Sequence, residues 1–192
     1  MILNGTVEWK TLRGTVYFSS DTHFFHGNIL KYCPERGFSN LPDMHAGLIK
    51  NHNSVVGPDD TYIHIGDFAM GQFSDWAPIL PQMNGHKILV RGNHDRSHDK
   101  MLSVGFDESY DTLLLKNTPN GDVWCEHVPN LKHGYSFHLC GHVHQAWETH
   151  APNIINAGVD ANGLMPKTLE QLVSKIDVSS SAAPTKAEEE SA

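Results

Sequence analysis

Residues 15–23 read TVYFSSDTH, a strand-like run that ends in polar side chains. The run begins with β-branched and aromatic residues, which predict a strand, and Asp21 follows where that strand ends. Asp21 and His23 lie two positions apart, so in an extended segment both side chains project from the same face. The pair is suited to bind one cation, although a turn aspartate beside a surface histidine would give the same pattern.

Three further segments also have an apolar run followed by polar side chains, with a glycine between the two. They are residues 61–65 (TYIHI) before Gly66 and Asp67, residues 87–91 (KILVR) before GNHD at 92–95, and residues 135–140 (YSFHLC) before GHVH at 141–144. Together with the first segment, they predict four strands that end in polar, glycine-marked turns.

Other segments predict the elements between and after these strands. Apolar spacing over residues 44–56 predicts an amphipathic helix that begins near Asn40 or Pro42. Residues 73–83 predict a short or broken helix, because two prolines interrupt it. The remaining predictions are a hairpin at 112–116 and 122–126 around the turn TPNG, a strand over 153–159 and a short helix over 168–176.

Length and composition indicate one globular domain. A chain of 192 residues, of which 39% are hydrophobic, suits a single core, predicted here over residues 1–178. Residues 179–192 contain Ser, Ala, Thr, Lys and Glu with one Pro, a composition too poor in apolar groups to offset the entropy of ordering. They therefore predict a disordered tail.

Charge, cysteine content and hydropathy restrict the setting of the protein. A net charge of −8 argues against binding to a long nucleic acid, whose affinity comes mainly from Lys and Arg. Three widely spaced cysteines without a C-x-x-C motif favour buried free thiols in a reducing compartment. No apolar stretch approaches the ~20 residues of a membrane span, and no secretory signal is visible. The sequence predicts a cytoplasmic protein.

Fourteen histidines are spread along the chain, and imidazole is the commonest protein ligand of transition metals. His142 and His144 give the sharpest local signal, because two imidazoles on one side of an extended segment have few structural uses. The other candidates have ordinary alternatives. Asp67 can cap a strand, residues 93–95 can form a plain turn, and His127 can be a partly buried, hydrogen-bonded histidine.

In chain order, the candidate segments read D-x-H, G-D, G-N-H-D, H and G-H-x-H. This ordered set resembles the motifs of the calcineurin-like metallophosphoesterases over residues 16–160, and it is most similar to small, uncapped bacterial and phage-type members. The resemblance implies an α/β (α+β) fold, a four-layered αββα sandwich of two mixed β-sheets flanked by helices. It also implies two divalent transition-metal ions per chain; Mn is favoured, while Fe, Ni, Co and Zn also suit mixed oxygen and nitrogen ligands.

The resemblance assigns metal-binding roles residue by residue, and every ligand position is filled. The implied ligands are Asp21, His23 and His144 for one ion, Asn93, His127 and His142 for the other, and Asp67 as the bridge between them.

Further roles are implied for residues beside the metals. His94 would hold the phosphoryl group and protonate the leaving oxygen without being a ligand, and Asp95 would orient it. His26, Arg36 and Arg96 are weaker candidates for substrate contact, since ordinary loop histidines and surface arginines are common.

These roles imply hydrolysis of a phosphodiester, nucleotide-like or derived from nucleic acid, by attack of a metal-bridging hydroxide. A phosphomonoesterase of the same fold is the alternative within this class. Outside it, the alternatives are a non-catalytic metal-binding scaffold, against which the complete ligand set argues, and a mononuclear hydrolase of another fold. A protein phosphatase is disfavoured because GDFAMG at 66–71 lacks the arginine of G-D-x-x-D-R-G. The expected partner is a small phosphate ester such as a nucleotide, and the oligomeric state is left open.

Overall fold

The computed structural model describes residues 3–130, 134–150 and 152–176. The tail predicted at 179–192 lies outside the described residues. Within the described ranges, the strands are β1 (Asn4–Glu8), β2 (Val16–Ser19), β3 (Thr61–His64), β4 (His86–Val90), β5 (Glu108–Tyr110), β6 (Thr112–Thr118), β7 (Gly121–Glu126), β8 (Phe137–Cys140), β9 (Thr149–His150), β10 (Ile154–Asn156) and β11 (Lys167–Thr168). The helices there are α1 (Ile29–Tyr32), α2 (Leu41–Val55), α3 (Phe73–Trp76), α4 (His98–Ser103) and α5 (Leu169–Val173).

The strands form two mixed sheets. In the five-stranded sheet, β2, β3, β4 and β5 lie side by side and parallel, and β11 pairs antiparallel with β2 at one edge. The six-stranded sheet has the order β1-β6-β7-β8-β10-β9 and contains both parallel and antiparallel pairs. With the helices of the described ranges, these sheets confirm the predicted α/β fold with two mixed sheets.

Both faces of the five-stranded sheet are buried. On one face, Ile63 of β3 belongs to a cluster that includes Leu113 and Val123 of the six-stranded sheet. On the other face, Tyr62 belongs to a cluster with side chains of α1 to α4, such as Met44 of α2. Successive side chains of a strand point to opposite faces, so a strand buried on both faces has a nearly continuous apolar sequence.

Helix α2 follows the sequence prediction closely. Asn40 precedes it in an extended conformation and accepts a hydrogen bond from the amide of Asp43, which satisfies a free N–H of the first turn. The buried side chains Met44, Leu48 and His52 recur every fourth residue, and they fix the face that packs on the sheet. None of the helices in the described ranges combines the length and apolar character needed to cross a membrane.

Several predicted elements are shorter in the structure. The segment 73–83 is a broken helix, as predicted, with α3 followed by the 3-10 turn Leu80–Gln82. The strand predicted over 153–159 ends after β10, because a 3-10 turn at Val159–Ala161 follows it. The sequence did not predict β1, which reads NGTVE and has little apolar character. It is held by parallel pairing with β6, more than 100 positions later in the chain.

The polar turns meet because of strand direction. Strands β2, β3 and β4 are parallel, so the residues after each of them lie together at the carboxyl ends of the strands. Strands β7 and β8 of the other sheet are also parallel, and the amide of Gly141 donates to the carbonyl of His127 after them. The amide of His142 then donates to the Asp21 carboxylate, at 3.0 and 3.1 Å from its two oxygens. These contacts join the edges of both sheets into one site.

Candidate metal centre

Asp67 lies at the centre of the site. Its Oδ2 atom is 3.2 Å from His127 Nε2, 3.7 Å from His23 Nε2 and 3.9 Å from His94 Nε2. Its other oxygen accepts a hydrogen bond from the amide of His94 at 2.9 Å. One carboxylate oxygen therefore faces three imidazoles that come from three different loops.

The ligands predicted for one metal ion come together on one side of Asp67. Asp21, His23 and His144, here called the Asp21 group, place their ligand atoms within 4.8 Å of one another. The His23 and His144 rings stack with centroids 5.0 Å apart, and His23 Nε2 is 3.8 Å from Asp21 Oδ1. This spacing is suited to a single cation between the three side chains.

The ligands predicted for the second ion lie on the other side. Asn93, His127 and His142 form what we call the Asn93 group. Ligand atoms of His127 and His142 lie within 4.8 Å of each other and of an Asp67 oxygen. His142 Nδ1 is 3.1 Å from Asn93 Oδ1. The structure thus brings the seven predicted ligand residues together, as two groups of three with Asp67 between them.

The backbone of the ligand residues is unusual. A left-handed conformation disfavours residues with a Cβ atom and is uncommon outside glycine. When such residues cluster, they indicate a site where the surrounding structure holds strain for a purpose. Five of the seven ligand residues have positive φ angles: Asp21 (59°), His23 (50°), Asp67 (59°), His142 (72°) and His144 (48°).

Two motif glycines are required by close approach. A Cβ atom on Gly141 would lie 2.5 Å from Asp21 Oδ2, and one on Gly92 would overlap the Asp67 carboxylate. Both contacts would be shorter than those that real Cβ atoms make. The glycines of GNHD and GHVH therefore let the loops approach the two carboxylates.

Three imidazole nitrogens of the predicted ligands lack hydrogen-bond partners although they are buried. They are His23 Nδ1, His23 Nε2 and His127 Nε2, the last of which lies close to Asp67 without hydrogen-bond alignment. Buried polar atoms in folded proteins almost always have a partner. His127 Nδ1 is close to the carbonyl oxygen of Ile65, at 2.8 Å, so its Nε2 atom is left to face Asp67. A cation is the partner that fits unpaired nitrogens beside carboxylates.

Electrostatics point the same way. Burial raises the pKa of Asp21 above its usual range. Burial also lowers the pKa of His23 to about 3. Burial acts in the same direction on His127, but the nearby carboxylates of Asp67 and Asp21 outweigh it and raise the pKa of His127 to about 9. Asp67 keeps a pKa below its usual range, because contacts with His127 and the His94 amide outweigh its burial. The site thus encloses two carboxylates and several imidazoles whose protonation depends on one another.

His94 and Asp95 differ in what they face. The His94 side chain is 43% exposed, and its ring lies 5.6 Å from that of His23, so it borders both the ligands and solvent. The Asp95 carboxylate instead accepts hydrogen bonds from the amides of Asp67, Phe68 and Gly92, at 2.8–2.9 Å. This corrects the prediction that Asp95 orients His94. It fixes the loop that carries Asp67.

The three predicted substrate residues have different environments. The His26 ring is 5.3 Å from that of His23, so it lies beside the ligands. Arg96 is exposed and donates to the carbonyl of Gly71 at 3.3 Å. Arg36 is a correction, because its guanidinium is enclosed behind the site, where it pairs with Asp160. No free donor of Arg36 is left for a substrate.

The sequence reasoning missed two residues that support the GHVH loop. Asp160 Oδ2 lies 2.7 Å from His144 Nδ1, and Asn156 Nδ2 donates to the carbonyl of His144 at 2.6 Å. Both belong to the stretch NAGVD at 156–160, which overlaps the predicted strand over 153–159 and has no predicted role in the site. The available signal was the position of these polar side chains, because Asn156 ends β10 and Asp160 lies in the 3-10 turn that follows it.

The fold and this site define an α/β protein of two facing mixed sheets with a histidine- and carboxylate-rich candidate metal centre. No family model matches the chain. It is 32% identical over 175 residues to the uncharacterized protein MJ1445 of Methanocaldococcus jannaschii, a match that covers 84% of this chain and 91% of that protein. The chain belongs to the same family as MJ1445.

Two solved structures are similar in fold. The protein of unknown function AQ665 from Aquifex aeolicus superimposes with a TM-score of 0.66 at 28% identity, over 85% of this chain and 99% of that one. An archaeal protein described as a novel phosphodiesterase superimposes with a TM-score of only 0.42 at 18% identity, over 76% of this chain and 82% of that one. The second likeness is too weak to bear on the activity of this chain.

Proposed function

We propose that the protein is a metal-dependent phosphoesterase of the calcineurin-like type that hydrolyses phosphodiesters. The observation that carries this proposal is the placement of Asp67 between two groups of ligands, with one carboxylate oxygen within 4 Å of imidazoles from three loops. A carboxylate shared in this way suits two neighbouring cations, the arrangement used in two-metal hydrolysis of phosphate esters.

The residues fit the metal ions that the proposal requires. The Asp21 group and the Asn93 group would each hold one divalent ion, with Asp67 contributing to both. Mixed oxygen and nitrogen ligands suit Mn and its first-row neighbours. When bound, such ions lower the pKa of a water nucleophile and stabilise charge on the phosphoryl oxygens.

His94 is the best-placed group to handle the proton of the leaving oxygen. Its side chain is partly exposed at the rim of the site, and its amide is tied to Asp67. A substrate held between the two ligand groups would therefore present its leaving oxygen near an imidazole. We assign His94 the role of general acid, which typically contributes ~10² to 10⁴-fold to a rate.

The setting of the site favours a small substrate. Asn93, His94 and His142 are exposed, so an ester can approach the site from solvent. The net charge of −8 argues against binding to a long nucleic acid, whose affinity comes mainly from Lys and Arg. A nucleotide-like diester or a nucleic acid end satisfies both conditions.

The test is a hydrolysis screen of the full-length protein after removal of metals and reconstitution with Mn²⁺. The substrates are bis-aryl phosphodiesters, aryl phosphomonoesters and cyclic nucleotides. We expect turnover of diesters that depends on added metal, together with two ions per chain by elemental analysis. Preferential turnover of monoesters would replace the diester assignment.

The control for the loss of a histidine outside the site is His86→Gln. His86 is at the start of β4, away from the candidate ligands that follow the other end of this strand. The control should behave as the wild type. A protein that takes up two ions but hydrolyses none of the substrates would favour a non-catalytic scaffold. A protein that takes up one ion and is fully active would contradict the two-metal assignment.

A further inference from the structure

Arg36 has contacts that assign it a task different from substrate binding. Its Nε and Nη2 atoms donate to the two carboxylate oxygens of Asp160, at 2.6 and 2.9 Å. This is the paired geometry in which the arginine fork matches a carboxylate. Nη2 and Nη1 also donate to the backbone carbonyls of Asp21 at 2.7 Å and Thr22 at 2.9 Å. One guanidinium therefore joins the loop of Asp21 to Asp160.

Asp160 extends this connection to a predicted metal ligand. Its Oδ2 atom, already an acceptor for Arg36, lies 2.7 Å from His144 Nδ1. A carboxylate that accepts from one imidazole nitrogen sets the tautomer and the ring orientation, so the other nitrogen is presented as the ligand. The side chains of Arg36 and Asp160 are both fully enclosed, which shields the pair from competing water.

We propose that Arg36 and Asp160 are a positioning pair for the metal ion of the Asp21 group, an inference that rests on the proposed function. The pair fixes the separation of the two loops that supply Asp21 and His144, which are more than 120 positions apart in the sequence. It does so without adding net charge to the interior, because the two buried charges compensate each other.

The neighbouring thiol of Cys33 suggests a competing arrangement. Cys33 Sγ is 3.6 Å from His144 Nδ1 and 3.7 Å from Asp160 Oδ2, and these three side chains are also spaced to surround a cation. The Arg36 guanidinium argues against that arrangement, since it occupies both oxygens of Asp160 and would repel a cation placed there. Cys33 is therefore the informative control.

The experiment uses the full-length protein, stripped of metal by a chelator and titrated with Mn²⁺ by calorimetry. Asp160→Asn keeps the size of the side chain but removes its charge. We expect it to weaken one Mn²⁺ equivalent by about 10- to 100-fold and to leave the other unchanged, as is typical for groups that orient metal ligands. Arg36→Lys should also weaken the same equivalent, because a single ammonium cannot replace the fork and both carbonyl contacts. The loss should be smaller than for Asp160→Asn, because the Asp160 carboxylate still contacts His144 Nδ1.

Thermal unfolding of the metal-free variants separates positioning from plain stability. If Asp160→Asn lowers only the unfolding temperature and binds both ions as the wild type does, the inference is overturned. If that variant does not fold, Arg36→Lys decides by the same criterion. Cys33→Ser should bind Mn²⁺ normally, and a loss of affinity there would replace the pair with a Cys33 site. A wild-type protein that binds no Mn²⁺ would instead sink the proposed function itself.

Discussion

The two ligand groups differ in charge, exposure and support. The Asp21 group contains a carboxylate of its own, Asp21 and His23 are buried, and Arg36 and Asp160 enclose its far side. The Asn93 group has no carboxylate apart from the shared Asp67, and both Asn93 and His142 are exposed. The Asp21 group is thus more enclosed than the Asn93 group.

The difference in charge and enclosure predicts different metal affinities for the two groups. Negative ligand charge and rigid support strengthen the hold on a cation, so the Asp21 group should bind its ion more tightly. The Asn93 group is open to solvent and borders His94, so its ion should exchange more readily and meet the substrate first. We expect one anchored ion and one exchangeable ion.

Asp67→Ala should have the largest effect, because it removes a ligand from both groups at once. We expect metal content to fall more than for any other single change, and turnover to fall by about 10³-fold or more, since metals supply several kcal/mol of transition-state stabilisation. Elemental analysis and diester kinetics measure both. Asp122→Ala, on the exposed side of β7, is the control carboxylate. Retention of two ions and full activity by Asp67→Ala would contradict the role of Asp67 as a ligand shared by both groups.

His94→Ala should be next in size and should spare both ions. We expect losses of ~10² to 10⁴-fold in kcat for alkyl or nucleoside esters, and smaller losses for esters of acidic phenols, whose leaving groups need no proton. An equal loss for both kinds of ester would assign His94 to holding the phosphoryl group. Loss of metal would make it a ligand of one of the groups.

Asymmetry between the groups should appear in the metal titration. In the wild type we expect two Mn²⁺ dissociation constants that differ by about tenfold or more, because ligand charge sets affinity. Asp21→Asn should weaken the tighter event, whereas Asn93→Ala should weaken the looser one. Calorimetry resolves the two steps. Equal affinities, or the reverse assignment, would break the comparison.

Asp95→Asn should have the smallest effect on turnover. The Asp95 carboxylate holds three backbone amides around Asp67 and Gly92, so the substitution should loosen that loop and cost about 1–3 kcal/mol of stability. The loss of kcat should be similar for esters with good and poor leaving groups. A loss confined to poor leaving groups would restore the role of orienting His94.

Much of the candidate centre could be predicted because its candidate ligands follow strands directly. Strands β2, β3 and β8 have strongly apolar sequences, and each leads within three residues to ligands such as Asp21, Asp67 and His142. Helix α2 could be predicted for a similar reason, since its cap at Asn40 and its four-residue apolar spacing are local features.

Other features could not be predicted from local pattern. Strand β5 has only three residues, and it is recognised by its parallel pairing with β4. Arg36 is predicted as a weak candidate for substrate contact, because nothing near it in the sequence shows that it pairs with Asp160, 124 positions away. The role of Asp95 depends on amides of a loop 27 and 28 positions earlier.

The sequence by itself determined the types of the candidate ligands, their order and the strands that precede them, since these depend on residue chemistry and short-range periodicity. Only the tertiary structure decided which imidazoles lie near the same oxygen of Asp67, which half of the site is enclosed and which polar residues support it. The physical reason is that burial and hydrogen-bond partnership arise between segments far apart in the chain. They exist only after parallel strands from both sheets bring those segments to one edge.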